Sequence, residues 1–137
     1  MTRPDPAAAR SRTMRAIPSR NTTPERKVRA LLRELGHVGY RLHRKELPGA
    51  PDVAFIGRRK AIFVHGCFWH GHDCPRGSRQ PVNNADYWRR KIAGNVARDA
   101  RHGAALATLG WSVLVVWECE LRAPAPLRAR LAAFMAA

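Results

Sequence analysis

Two cysteines, three histidines and two large aromatic residues occupy ten consecutive positions, in the run HGCFWHGHDC of residues 65–74. Thiolate sulfur and imidazole nitrogen are the ligands that hold structural Zn²⁺ in proteins, almost always four of them in tetrahedral geometry. Cys67, His72 and Cys74 offer three such ligands, and Cys119, the third cysteine of the chain, can offer the fourth. This set predicts a closed structural zinc site that ties an irregular loop to a later strand. The alternative is three reduced cysteines without a metal.

With His72 assigned to zinc, His65 and His70 are free for acid–base chemistry, because imidazole titrates near neutral pH. Asp52 follows Pro51 at the start of a predicted strand, where a carboxylate can ligate a hard cation such as Mg²⁺. The predicted strands of Asp52 and His65 form a hairpin, so we expect these two side chains to be close to each other. The competing interpretation is an ordinary turn aspartate with surface histidines.

Large aromatic residues stand near basic and amide side chains that suit DNA. Phe68 and Trp69 lie in the cysteine-rich loop, where they either belong to the core or form a wedge that opens a duplex. Trp88, Lys91 and Asn95 follow at spacings of three and four, on one face of a predicted helix. Lysine and asparagine can read base edges in the grooves of DNA. An amphipathic helix with a solvated basic face is the alternative.

The charge of the chain points to a polyanionic partner. Its 137 residues include 25 Lys and Arg against 10 Asp and Glu, a formal net charge of +15. Such a charge favours nucleic acid, with a ribosomal-type structural role or an anionic membrane surface as alternatives. The sequence has neither a signal-peptide pattern nor a run of about 18 apolar residues, so we expect a cytoplasmic protein without a membrane partner.

The hydrophobic pattern predicts one α/β domain over residues 22–137, after a basic arm at 1–21 that is either a solvated tail or a DNA-gripping segment. The predicted elements are a helix that begins after Thr22, strands at 40–43, 52–56 and 60–65, an irregular loop at 66–84, a helix at 86–109, a strand at 111–117 and a helix at 125–136. The strand at 111–117 is apolar nearly throughout, which is typical of a central strand covered on both faces. Together the elements predict a mixed sheet flanked by helices.

Several motifs together resemble those of the very-short-patch-repair DNA mismatch endonucleases. They are MRAI at 14–17, PGAPD at 48–52, FVHGCFWH at 63–70, YW at 87–88, NVARD at 95–99, LGWSVL at 109–114 and VWEC at 116–119. The resemblance implies a restriction-endonuclease-like fold with an αβββαβ core and a loop stapled by zinc. It also implies Mg²⁺-dependent hydrolysis of one DNA strand beside a thymine–guanine (T·G) mismatch, which arises when methylcytosine deaminates.

The resemblance implies roles for individual residues in the reaction. Asp52 and the main-chain carbonyl of Val64, where the family commonly has threonine, would bind two Mg²⁺ ions. Glu25, on the first long helix, would orient metal-bound water. His70, with His65 nearby, would act in acid–base chemistry at the scissile phosphate.

The resemblance also assigns metal and DNA contacts. One structural zinc ion would be held by Cys67, His72, Cys74 and Cys119. The wedge beside the mismatch would consist of Phe68, Trp69 and Trp88. The mispair would be read by Lys91 and Asn95. The N-terminal motif would contact DNA through Met14 and Arg15. The protein would act as a monomer at the nucleoid of a bacterium, with mismatch-repair proteins as further partners.

Two other functions are compatible with the sequence. A restriction-type endonuclease of the same fold would cut both strands of matched DNA. A zinc-stabilised DNA-binding protein without catalysis would use the charge, the cysteines and the aromatic residues. Such a protein would have no use for Glu25, Asp52, His65 and His70 together.

Overall fold

The computed structural model describes residues 21–78 and 82–137. Helix α1 spans Thr23–Glu34. It begins there because the Thr22 hydroxyl accepts a hydrogen bond from the backbone N–H of Glu25 (3.4 Å) and because a proline is tolerated in the first turn. The buried face of α1 is apolar except where it carries Glu25 and a nearby arginine into the interior.

A mixed four-stranded sheet forms the centre of the fold. Its strands, adjacent in space in their chain order, are β1 (Arg41–Leu42), β2 (Val53–Phe55), β3 (Lys60–His65) and β4 (Ser112–Trp117). The pairs β1–β2 and β2–β3 are antiparallel, whereas β3 and β4 are parallel. Parallel neighbours need a long crossover, and helix α2 (Ala85–Thr108) provides it. A short 3₁₀ helix (Glu118–Arg122) and helix α3 (Pro124–Ala136) follow. This order confirms the predicted αβββαβ core and mixed sheet.

Strand β4 lies at an edge of the described sheet, so the prediction of a central strand at 111–117 is wrong. Its side chains are nevertheless covered on both faces, because Leu114 and Val116 pack on one side and Val113 and Val115 on the other. A run of apolar residues in a strand indicates that both faces of the strand are covered. It does not indicate whether one or both of its hydrogen-bonding edges are paired with another strand.

The first two strands are shorter than the alternation of residue types predicts, with two and three residues. Strand β1 stops at His43, whose backbone is left-handed with a φ of 50°. A residue in this conformation leaves the extended path of the strand. The bounds of α2 differ from the prediction by a single residue at each end.

Two hydrophobic clusters lie on opposite faces of the sheet. The larger cluster, against α1 and α3, buries Val28, Leu32, Val53, Phe55, Ile62, Val116, Leu127, Leu131 and Met135. The smaller cluster, against α2, buries Ala61, Phe63 and Leu106. Successive residues of a strand point to opposite faces, so β3 contributes to both clusters in alternation.

A buried lysine connects the sheet to the last helix. Lys60, at the start of β3, is only 6% exposed. Its ammonium group donates hydrogen bonds to the backbone carbonyls of Phe134 and Ala137, the latter at 2.7 Å. These carbonyls belong to the end of α3, where a helix has no backbone donors of its own for them.

The arm predicted at 1–21, with Met14 and Arg15, lies outside the described residues except for Asn21. The division of the chain into an arm and one domain therefore stays a prediction. Within the described ranges, no helix combines the length and the apolar character needed to cross a membrane.

Candidate active site and metal centres

Three titratable side chains meet beside the first turn of α1. Glu25 comes from that turn, His43 from the end of β1 and Asp52 from the residue before β2. Nε2 of His43 lies 3.2 Å from Oε2 of Glu25, and its Nδ1 lies 3.8 Å from Oδ1 of Asp52. One ligand atom from each side chain lies within 4.8 Å of the other two, which is close enough for a shared metal ion. We call these residues the carboxylate cluster.

Asp52 is fixed by the backbone of the neighbouring strand, because its Oδ2 accepts a hydrogen bond of 2.6 Å from the N–H of Val64. Burial raises the pKa of Asp52 to about 7, and the charge of Glu25 acts in the same direction. The Val64 hydrogen bond and the charge of Arg29 oppose this rise. A buried carboxyl group of this kind gains most from a nearby cation, which stabilises its ionised form.

Glu25 is 3% exposed and is held by residues on either side of it in the chain. Its Oε2 accepts a hydrogen bond of 2.9 Å from the backbone N–H of Asn21 and lies 3.7 Å from Nη1 of Arg29. Arg29 also donates a hydrogen bond to the Asn21 side chain. These contacts fix the Glu25 carboxylate in its position facing His43.

A second cluster, the histidine cluster, consists of His65 at the end of β3, His70 in the following loop and Asp99 on α2. The two imidazole rings stack with centroids 3.8 Å apart and planes 3° from parallel. Nδ1 of His70 contacts Oδ2 of Asp99 at 2.6 Å, and Nδ1 of His65 lies 4.0 Å from the same oxygen. A carboxylate at Nδ1 holds the ring orientation and leaves Nε2 of His70 for another partner.

His65 is buried and neutral at neutral pH. Burial and, to a smaller extent, the charge of His70 lower the pKa of His65 to about 4, although the charge of Asp99 opposes the change. His65 therefore cannot exchange protons efficiently near pH 7, whereas it can pack against His70 and support it.

The four residues predicted to be catalytic thus fall into two groups, on the two sides of the end of β3. Glu25 and Asp52 lie on the side of α1, where the Val64 side chain also packs. His65 and His70 lie on the side of α2. Asp52 reaches the backbone of Val64, next to His65 in the chain, and forms no ion pair with His65 within the described ranges.

The sequence pattern predicts neither His43 nor Asp99 as a site residue. The alternation of residue types places His43 in a strand, and no local spacing connects it with Glu25 or Asp52. Asp99 carried a weak signal, because it lies four residues after Asn95 and therefore on the same face of α2.

The predicted zinc ligands come together in the structure. One ligand atom from each of Cys67, His72, Cys74 and Cys119 lies within 4.8 Å of the others. The Sγ of Cys119 is 3.6 Å from Nδ1 of His72, and its backbone N–H is 3.4 Å from the Sγ of Cys67. Around a tetrahedral zinc ion, ligand atoms at about 2.0–2.3 Å from the metal lie about 3.5–3.8 Å apart.

The chemistry of this group also fits a soft dication. Burial raises the pKa of Cys67 to about 12 and raises that of Cys119, whereas the backbone N–H of Gly77 lowers the pKa of Cys74 to about 6. Metal coordination deprotonates thiols, so a bound dication would convert all three into ligands. The His72 ring stacks on Trp117 with centroids 4.2 Å apart, which orients it toward the cysteines.

The three predicted wedge residues pack against one another. The ring centroids of Phe68, Trp69 and Trp88 lie 5.2–5.9 Å apart in edge-to-face arrangements. Trp88 is only 9% exposed, while Phe68 and Trp69 are half-buried. Trp88 therefore supports the other two from beneath, and only Phe68 and Trp69 offer ring surface to a ligand.

Helix α2 holds the loop that carries these aromatics. The Asn95 side chain donates a hydrogen bond of 2.9 Å to the carbonyl of Trp69, while Lys91 is exposed. Gly71 has a φ of 64°, and a Cβ there would lie 2.9 Å from a methyl group of Val96. Glycine is required because the loop backbone both turns left-handed and touches the helix.

Known proteins resemble this chain in sequence and in structure. The profile of the family described as DNA mismatch endonuclease Vsr matches residues 5–76. The chain is 54% identical over 118 residues to the type II nicking enzyme V.XorIIP of Xanthomonas oryzae pv. oryzae, with 86% of this chain and 85% of that protein covered. It is 44% identical over 115 residues to the DNA mismatch endonuclease Vsr of Escherichia coli, with 84% and 72% covered.

The fold resembles that of the Homing Endonuclease I-Bth0305I Catalytic Domain, with a TM-score of 0.58 and 26% identity. The match covers 83% of this chain and 94% of that domain. It confirms the predicted endonuclease fold. Because the family profile spans more than half of the chain and close relatives align over most of their length, the chain belongs to the DNA mismatch endonuclease Vsr family.

Proposed function

We propose that this DNA endonuclease nicks one strand of double-stranded DNA beside a T·G mismatch and so initiates very-short-patch repair. The observation that supports this most is the position of the carboxylate cluster and the histidine cluster on either side of the end of β3. A metal-binding group and an acid–base group can together catalyse phosphodiester hydrolysis. In this proposal the enzyme acts as a monomer in the bacterial cytoplasm, where mismatch-repair proteins can be further partners.

Asp52, Glu25 and the carbonyl of Val64 would hold the catalytic Mg²⁺ ions. The N–H and C=O groups of one residue in a β-strand point to the same side of the strand. The Val64 N–H donates a hydrogen bond to Asp52, which supports a Val64 carbonyl that is directed toward Asp52 as well. Three oxygen donors of this kind suit Mg²⁺, which keeps several waters as its other ligands. Bound dications supply electrostatic stabilisation of the attacking and leaving oxygens.

His70 would exchange a proton at the scissile phosphate through its Nε2. Asp99 holds Nδ1 of His70 at 2.6 Å and so determines which nitrogen faces the DNA. His65 stacks on His70 and limits its movement. Besides offering one oxygen to the metal, Glu25 would orient a water molecule with its other oxygen, since its carboxylate is itself fixed by Asn21.

Zinc would have a structural role. Four protein ligands close a tetrahedral site and leave no position for substrate. Cys119 follows β4 directly, so a zinc ion shared with Cys67, His72 and Cys74 would tie the loop to the sheet. The same loop carries His70, Phe68 and Trp69, so this link would stabilise both the acid–base group and the wedge.

DNA recognition would combine a charged surface with the aromatic cluster. A T·G mispair stacks less well than a matched pair, so inserting Phe68 and Trp69 beside it costs less. Lys91 would read the mispair directly, while Asn95 would contribute through its hold on Trp69. The net charge of +15 and the N-terminal Met14 and Arg15 would add contacts to the sugar–phosphate backbone.

The proposal is tested with matched duplexes that differ in one base pair, T·G or T·A. With Mg²⁺, we expect cleavage of one strand of the T·G duplex, and Asp52→Asn should abolish it while DNA affinity is retained. Asp86→Asn, an exposed carboxylate on α2, is the control and should cleave normally. Equal cleavage of both duplexes would contradict mismatch specificity.

A supercoiled plasmid that carries the mismatch separates the proposal from its two alternatives. Open circles indicate a nick, whereas linear product would indicate a restriction-type enzyme that cuts both strands. DNA binding without hydrolysis in either Mg²⁺ or Mn²⁺ would indicate a zinc-stabilised binding protein.

A further inference from the structure

His43 is the member of the carboxylate cluster for which the proposed reaction has no role. Its imidazole lies between two carboxylates, with Nε2 3.2 Å from Glu25 and Nδ1 3.8 Å from Asp52. Nε2 is fully buried, and despite its short distance to Glu25 it makes no hydrogen bond of acceptable geometry. A buried ring nitrogen without an aligned partner is unusual in a native protein.

The backbone at His43 is also unusual. Its φ of 50° is in the left-handed region, which is uncommon for residues other than glycine, although histidine, asparagine and aspartate adopt it more often than the rest. Such conformations persist where the surrounding structure imposes them, and they concentrate at binding and catalytic sites. Here the conformation ends β1, and the side chain is directed between α1 and the start of β2, where Glu25 and Asp52 are.

We propose that His43 supplies a nitrogen ligand to the divalent cation at Asp52, so that the site binds first-row transition cations more tightly than an all-oxygen site would. This inference rests on the proposed function in one respect, namely that a divalent cation binds at Asp52. It adds an imidazole to the expected ligand set of two carboxylates and the Val64 carbonyl.

The distances fit this ligand set. Two neighbouring ligands of an octahedral cation at about 2.1 Å lie about 3 Å apart, close to the 3.2 Å between Nε2 of His43 and Oε2 of Glu25. One ligand atom of Asp52 lies within 4.8 Å of one ligand atom from each of these two residues. Two carboxylates and a neutral imidazole carry two negative charges, which match a dication. An imidazole ligand favours transition cations over Mg²⁺, which prefers oxygen.

The test uses Mn²⁺, whose electron paramagnetic resonance reports both affinity and nitrogen ligation. Mn²⁺ is also a poor competitor for a thiolate-rich zinc site, so the protein can keep zinc there. His43→Gln retains a polar side chain of similar length but lacks the imidazole. His37→Gln, in the turn after α1 and outside all three candidate metal groups, is the control.

We expect ¹⁴N modulation on Mn²⁺ bound to the unsubstituted protein and to His37→Gln, and its loss in His43→Gln. The same substitution should weaken Mn²⁺ binding about tenfold while changing Mg²⁺ binding, measured by competition, much less. If His43→Gln does not fold, as judged by circular dichroism, His43→Asn serves instead, because asparagine tolerates the left-handed backbone.

Three results would overturn the inference. Mn²⁺ that binds in an Asp52-dependent manner without ¹⁴N modulation would show an oxygen-only site and would leave the proposed function intact. Modulation that survives in the His43 variant but disappears in His70→Gln would assign the nitrogen to the histidine cluster. Mn²⁺ and Mg²⁺ binding that is insensitive to Asp52→Asn would remove the metal site of the proposed function as well.

Discussion

The two faces of the sheet are built differently, although both contribute to the same candidate site. Among the described residues, the hydrophobic cluster on the side of α1 and α3 has nine buried members, whereas the cluster on the side of α2 has three. The first part of α2 contacts the loop that follows β3 instead, through an aromatic, an amide and a carboxylate, namely Trp88, Asn95 and Asp99.

This difference separates stability from the positioning of reactive groups. Side chains alternate along β3, so Val64 points to the well-packed face and His65 to the thinly packed one. Glu25 is carried by a helix that is anchored by apolar residues, while the His70 ring is held by the Asp99 carboxylate on α2 and by stacking on His65. Substitutions in the hydrophobic cluster of the first face should therefore reduce stability, and substitutions of the polar side chains that hold His70 on the second face should reduce activity.

Among the substitutions that compare the hydrophobic cluster of one face with the loop contacts of the other, the largest effect is expected on the α2 face. Asp99→Asn removes the charge that orients His70, and we expect the rate of nicking to fall about 10³-fold, within the range for a misplaced acid–base group. The free energy of unfolding should change little, since Asp99 contributes to neither hydrophobic cluster. Single-turnover cleavage and urea unfolding of the same variant measure both quantities.

Asp86→Asn provides the comparison for Asp99→Asn on the same helix. Asp86 is exposed and pairs with an exposed arginine, so its loss should affect neither rate nor stability measurably. An Asp99→Asn variant that nicks as fast as Asp86→Asn would contradict the orienting role.

The next effect is expected on the opposite face. Leu32 is fully buried in the larger cluster, and Leu32→Ala should lower the free energy of unfolding by about 3 kcal/mol. The single-turnover rate should be unchanged at temperatures where the variant is folded. Leu109→Ala, at a leucine that is 53% exposed, is the control and should be close to neutral. A large loss of activity in folded Leu32→Ala would show that the two faces are not separable.

Removal of zinc should act on the side of α2, because the cysteine group holds the loop that α2 contacts. After verified loss of zinc, we expect the melting temperature to fall by about 5–10 °C and nicking to decrease as the loop loosens. Metal analysis, differential scanning calorimetry and the plasmid assay provide the three measurements. An unchanged melting temperature would indicate that the metal held by the cysteines does not stabilise the fold.

The sequence predicted the helices, the strands and the groups of residues that are close in the chain better than it predicted how these parts are arranged in space. The order of helices and strands followed from periodicity and turn residues, and the grouping of Cys67, His72 and Cys74 with Cys119 followed from three clustered residues with one cysteine left over, while the metal that they hold stays a prediction. The periodicity and the turn residues are local features of the chain, and the assignment of Cys119 depends only on the number of cysteines. The edge position of β4 was not predictable, because an apolar run is equally compatible with a central strand.

The division into two clusters was also not predictable, for a geometric reason. The register that places Val53 opposite Ile62 fixes which residues of β3 Asp52 can contact, and the sequence does not encode this register in a readable way. His43 and Asp99 join their clusters through tertiary packing, so no spacing along the chain relates them to Asp52 or His70.

The smallest predicted effect concerns His65 and the pH dependence of stability. Burial lowers its pKa to about 4, from an ordinary value of 6.5 in the unfolded chain. Between these values the unfolded chain binds the proton and the folded one does not, so stability falls as pH falls through this window. From pH 7 to pH 5.5, His65 should cost about 1 kcal/mol. His65→Gln lacks this titration, so its unfolding free energy should decrease less over the same interval, while His37→Gln should follow the unsubstituted protein. Equal pH dependence in all three proteins would show that His65 accepts a proton as readily in the fold as in the unfolded chain.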